Sequence, residues 1–321
     1  MNAIVYWLLA VLPVPLAAGY FAPLIARSRL QPPPALFWPL SVALGIGLFT
    51  VIVAVVAFAG LTTVRLWLIL IILWSASALW GNRPRVRISP AEWWGRLQQG
   101  KCGAWVGLAV SGILLVVLAH ASYYPFTGDD EISRYAYFAR LILEKSRLTT
   151  EVRGYPLLLP VAYASSFFAA GGIHEQAAKM YPVLIATMTV WATYALTLRW
   201  FGKRAATAAA LTLASTPLFM RWAPVGYVDI ASGLYFVLCA YALDIWRERF
   251  EPAWALLSGV LAGLALWTKQ AGFAVLPIMG LLVLTQVMHR WTHAKRKEAR
   301  RALGHGVLVM TAAFAIGGWW Y

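Results

Sequence analysis

The chain has little charge and less acid. Of its 321 residues 12% are charged, with 12 Asp and Glu against 27 Lys and Arg, while 61% are hydrophobic. A soluble domain carries roughly a quarter charged residues, so a soluble globular fold is excluded. Cysteine is nearly absent. Cys102 and Cys239 both fall at or inside apolar segments, which excludes a disulfide framework and a zinc-type cysteine cluster. A basic start is missing too: the first charged side chain is Arg27. Residues 3–26 therefore read as a retained span and not as a cleaved signal.

What is present is apolar length. Mean hydropathy is +0.69, and uncharged runs fill 1–26, 35–64, 66–82, 103–128, 155–173, 180–198, 205–220, 230–243, 252–268, 270–288 and 302–321. Most approach the roughly 20 residues needed to cross the hydrocarbon as a helix. The net charge of +15 does not point to nucleic acid, because the basic residues sit in short patches between apolar runs, as membrane topology requires.

Topology follows from those patches. If every run crossed, "RWFGKR" (199–204) and "HRWTHAKRKEARR" (289–301) would lie outside, against the positive-inside rule. If 155–173 instead lies on the outer surface or dips in and returns, eighteen of the 27 basic residues are cytoplasmic. Pro156, Pro160 and Gly171–Gly172 bound that segment as a broken element. The expected fold is an all-α, polytopic bundle of ten spans with the N-terminus outside. A large outer loop, 123–179, would carry two juxtamembrane helices near 130–147 and 156–170. Residues 1–101 form three additional spans and a basic loop; residues 102–321 form the membrane core.

The outer loop opens with "PFTGDDEISRYAYF" (125–138), three acids in an acid-poor chain. Thr127 with Asp130 resembles a capping box, and acids in a first turn suit the helix dipole. Ile132, Tyr135, Ala139 and Ile142 share a stripe at helical spacing, as on a helix lying on the bilayer. The functional alternative is a carboxylate acting as general base toward an acceptor hydroxyl. Arg134, Arg140, Arg153, Lys179, Arg221 and Lys269 would be available to hold an anionic headgroup. Asp229 opens a span on the same side. His120 and His174 supply no metal-type spacing, so no metal ligand is assigned, though the acids leave room for a divalent cation.

The order "DDE", then "YPLLLPVAYA", "MYPVLIATMTVWATYALTLRWFGKRAATAAALTLASTP", "GYVDIASGLYF", "LAGLALWTKQAGF" and "GGWWY" resembles the GT-C membrane glycosyltransferases from about residue 103 to 321. The similarity is to the protein O-mannosyltransferase and aminoarabinose transferase group and its bacterial relatives. It implies a polyprenyl-phosphate sugar donor, a glycan, lipid or protein acceptor, and transfer on the outer face of the bacterial inner (plasma) membrane. It implies Asp130–Glu131 as the acid pair, Asp130 being the base, and Asp229 as a second acid near the site. Tyr135 comes one residue later than the family spacing, which leaves Asp129–Asp130 as an alternative register. The family's lysine before the dipping helix has no counterpart here; Arg153 stands where it would be. Relatives usually continue with further spans and often a soluble domain, so an acceptor-binding part is expected beyond Tyr321. The competing readings are a transporter or flippase of a lipid-linked or anionic substrate, and a non-catalytic membrane scaffold. Against the transporter, most ionisable residues lie at span ends or in loops, and no internal repeat is evident.

Overall fold

Backbone polar groups inside a bilayer must be satisfied within the segment, and the chain meets this with helices. The computed structural model describes residues 30, 32–58, 101–148, 151, 154–293 and 296–321, and no strand occurs among them. The principal helices are α1 (Pro34–Phe58), α2 (Lys101–Tyr123), α3 (Tyr137–Lys145), α4 (Leu158–Ala170), α5 (Met180–Ser215), α6 (Pro217–Trp222), α7 (Val228–Arg249), α8 (Pro252–Thr268), α9 (Val275–Thr292) and α10 (Arg296–Ile316). Among the described residues, five helices are long and apolar enough to cross a membrane: Pro34–Phe58, Trp105–Tyr123, Glu175–Ser215, Val228–Arg249 and Gln270–Thr292. The expected spans at 1–26 and 66–82, and loop residues 82–100, lie outside the described residues.

The longest helix contains a sharp turn. Gly202 has φ 81° and ψ 179°, a conformation essentially restricted to glycine. It divides α5 into two limbs of about 33 and 20 Å at 1.5 Å per residue. Met180, Val183, Ala186 and Val190 share one buried cluster with Ala210, Ala214, Phe219 and Ala223, so the limbs fold back on each other. The expected loop "RWFGKR" is a hairpin whose reversal rests on one residue.

α1 is apolar on all sides, and most of its length is buried, as expected of an interior helix. Tyr235 donates to the Ala43 carbonyl at 2.9 Å and Trp267 Nε1 to Thr50 Oγ1 at 3.1 Å, pinning α1 to α7 and α8. α8 packs in turn on α7 and α10. Its Gly259 and Gly263, four residues apart, let the α10 backbone approach; a Cβ at Gly259 would stand 2.5 Å from the Val309 carbonyl oxygen.

The two helices expected within 123–179 differ from expectation in detail. α4 has 13 residues, about 20 Å, and is buried nearly throughout against α1 and α3. Ahead of α3, Glu131–Ala136 forms a π-helical turn. The turn changes which residues face inward. Glu131, Tyr135, Ala139 and Ile142 are buried, whereas Ile132, assigned to the apolar stripe, is 47% exposed.

Candidate active site

Between Tyr123 at the end of α2 and the π-turn, residues 124–128 form a strap whose backbone groups are held by side chains from distant elements. Lys179 is fully buried and donates from Nζ to the carbonyls of Tyr124 and Pro125, at 3.2 and 2.8 Å. Glu175 accepts the Phe126 N–H at 2.9 Å and pairs with Arg140 of α3. Glu131 accepts the N–H groups of Thr127 and Gly128 at 2.8 and 3.1 Å through one oxygen, and that of Gly226 at 2.7 Å through the other. The Phe126 ring stacks on Tyr163, centroids 5.2 Å apart.

The three acids therefore do different things. With Gly128 preceding the first helical residue, Glu131 occupies the third helical position and reaches back to the Gly128 N–H, which is half of a capping box. The expected Thr127–Asp130 box does not form: Asp130 makes no side-chain cap hydrogen bond. Burial raises the Glu131 pKa, opposed by the Gly128 and Thr127 donors, the Lys179 charge and the Gly226 donor. Gly226 is required by this approach, since a Cβ there would lie 1.9 Å from the Tyr163 hydroxyl and 2.8 Å from Glu131 Oε1. Asp129 is exposed. The Asp130 side chain is 46% exposed and pairs with Arg134, Nε to Oδ1 3.2 Å.

Around Asp130 the chain gathers several expected residues. Arg134 also lies against Tyr155, with Nη1 3.4 Å from the hydroxyl and the guanidinium 5.9 Å from the ring centroid. Tyr155 contacts Phe138 and Tyr135, with centroids 5.0 and 6.0 Å away. Burial pushes the Tyr135 phenol well above its ordinary pKa, and Tyr155 and the charges of Asp130 and Asp229 add to the shift. Asp229, in the first turn of α7, pairs with Lys269 at 2.5 Å. Gln270, next to Lys269, reaches the Gly154 carbonyl at 3.5 Å, and Trp320 donates to the Tyr155 carbonyl at 2.7 Å.

Asp130, Glu131, Arg134, Asp229 and Lys269 thus meet at one end of the bundle. Arg221 stands apart from these ion pairs, over the Trp222 ring at 5.0 Å; Trp222 stacks on Tyr227, which packs against Gly128. Arg153 lies outside the described residues. Among the described residues, no three His, Cys, Asp or Glu side chains are grouped as a metal site. Tyr155 as a hub and Lys179 as the strap's anchor were not assigned from sequence. The one available signal was a lysine enclosed by apolar neighbours in "AAKMYP".

No curated protein and no solved structure matches the chain. A family model does, over residues 156–319, from the residue after Tyr155 through the helix that carries Asp229 and past Lys269. Covering a little over half of the 321 residues, the match makes this multi-pass membrane chain a member of the dolichyl-phosphate-mannose-protein mannosyltransferase family, membrane glycosyltransferases of the GT-C type.

Proposed function

We propose that the protein moves a sugar from a polyprenyl-phosphate carrier to an envelope acceptor on the outer face of a bacterial inner membrane. The acceptor hydroxyl attacks the anomeric carbon, the bond from that carbon to the phosphate oxygen breaks, and the configuration inverts. Asp130 takes the hydroxyl proton as general base. The departing lipid phosphate carries the leaving charge, and Arg134 and Lys269 stabilise it. Asp229 holds Lys269 in place, and Arg221 is a further cation open to the donor.

The observation that carries this reading is the contrast within the acid run. Glu131 has its oxygens committed to three backbone donors, while Asp130 is partly exposed beside Arg134. The π-turn bears on the register. One extra residue in a helix is absorbed as a π-turn, so Tyr135 can arrive one residue late in sequence while the helix continues in phase. That supports Asp130–Glu131 as the acid pair over Asp129–Asp130. The family match begins after the strap, so the assignment of the base rests on this geometry and on the sequence resemblance.

The test is transfer by the purified full-length protein, given radiolabelled polyprenyl-phosphate sugars and envelope extract, with and without EDTA. Label should move to an acceptor, and Asp130→Asn should abolish the movement while the protein stays folded. Transfer that survives Asp130→Asn would remove the base. An EDTA-sensitive reaction would add a divalent cation to the scheme.

A further inference from the structure

The end of the bundle away from the acids has a cavity of its own. It measures about 890 Å³ and lies between α2 and the two limbs of α5, capped by the start of α1 and by Tyr241. Its shaft is apolar, formed by Val106, Val110 and Leu114 of α2 with Val190, Trp191 and Leu198 of α5. Arg199 and Lys203 line it on either side of the Gly202 reversal, and no carboxylate lines it. From Lys179, beneath the strap, to Arg199 the first limb rises about 30 Å. That is the thickness of the hydrocarbon, so the cavity and the acid cluster belong to opposite leaflets.

The two cations are not equivalent. Arg199 is occupied by Asp244 and Glu248 at 2.6 and 2.5 Å. Lys203 is exposed and makes no ion pair among the described residues. Beside the cavity, α2 turns Trp105, Leu108, Leu115 and Val116 outward, each more than half exposed, as on a lipid-facing helix. From Thr187 to Arg199 the shaft runs about 18 Å, a little over half of the roughly 30 Å hydrocarbon. An apolar slot one leaflet deep, open beside a lipid-facing helix and ending at an unpaired lysine, has the shape and charge of a receptor for an anionic amphiphile.

We infer that this groove binds an anionic phospholipid from the leaflet on the Gly202 side, an acyl chain filling the shaft and the phosphate meeting Lys203. In the orientation set by the basic loops that leaflet is the cytoplasmic one. Basic pockets between transmembrane helices on that side suit phosphate headgroups. The site is separate from the transfer chemistry and does not depend on it.

Native mass spectrometry of the full-length protein in detergent tests this, with phosphatidylglycerol, phosphatidylcholine of the same chains, or inorganic phosphate added. One phosphatidylglycerol should be retained about fivefold better than phosphatidylcholine, the factor expected of one lysine near a membrane surface. Lys203→Gln should erase that preference. Ser111→Trp, at an exposed position lining the groove, should reduce retention of both lipids without lowering the melting temperature. Equal retention of the two lipids by the unaltered protein would overturn the proposal, as would a preference that survives Lys203→Gln. Retention unchanged by Ser111→Trp would place the lipid elsewhere, and displacement by inorganic phosphate would make this a soluble-anion site; either result also overturns it.

Discussion

At the Gly202 end, Arg199 and Asp244 pair with side chains only 20% and 11% exposed. At the strap end, the Asp130–Arg134 and Asp229–Lys269 pairs have all four side chains between 38% and 57% exposed. An exposed pair contributes little to stability, about 0–1 kcal/mol. For the same reason it can exchange one partner for another at little cost, and a cation can leave a carboxylate for a phosphate. The partly buried pair fastens α5 to α7; the exposed pairs are available to a substrate. What keeps the exposed pairs in place is the layer beneath them, where Glu131, Glu175 and Lys179 tie down the strap.

The largest expected effect separates the outward acids from the inward one. Asp130→Asn should lower transfer by about 10²–10⁴-fold with an unchanged melting temperature, whereas Asp129→Asn should lose less than about tenfold. A loss seen only with Asp129→Asn would shift the base by one residue.

Glu131 should show the reverse pattern. Glu131→Gln replaces an acceptor of three N–H groups with an amide and should cost about 1–3 kcal/mol of stability, read as a lower melting temperature in detergent. Glu131→Ala should cost more. A Glu131→Gln protein that is fully stable yet inactive would put Glu131 in the chemistry.

Lys269→Gln should act on the departing phosphate. Loss of one half-exposed cation from it should lower kcat/KM for the donor about tenfold, with part of the loss in kcat. An effect confined to KM would make Lys269 a ground-state binding contact alone.

The smallest effect is a slope. Because burial raises the Glu131 pKa from the ordinary 4.5, the native state holds this proton more tightly than the unfolded chain does. Stability should therefore fall as pH rises from about 4.5 to the raised native value, and Glu131→Gln should flatten that part of the melting curve against pH. An unchanged slope in the variant would assign it to other carboxyls.

Much of the helical architecture was legible because uncharged length is a strong signal. The runs at 180–198 and 205–220 became two limbs of one hairpin, and those at 35–64, 230–243 and 252–268 contain or overlap α1, α7 and α8. The direction of Glu131 was not legible. The stripe through Ile132 assumed 3.6 residues per turn, and a π-turn over Glu131–Ala136 breaks that period. Nor could the strap's partners be read. Glu175 contacts it from 49 residues away in sequence, and Gly226 donates to Glu131 from 95 away; one sequence carries no sign of such pairings. The meeting of Asp130, Asp229 and Lys269 was legible only as a shared side of the membrane; that Tyr135 and Tyr155 join them depends on packing.

The π-turn has a consequence for how the chain tolerates change in length. A π-turn holds one residue more than the α-turn it replaces, and the strap before it and α3 after it are each anchored independently. Removing Ser133 should let the turn relax to regular α geometry, with Asp130 and Tyr135 keeping their places. Removing a residue from α3 itself, such as Ala139, should rotate everything beyond it off the core. Paired deletions compared by melting temperature should therefore diverge sharply. The turn around Ser133 would then be a place where a single residue can be gained or lost while Asp130 and Tyr135 keep their places.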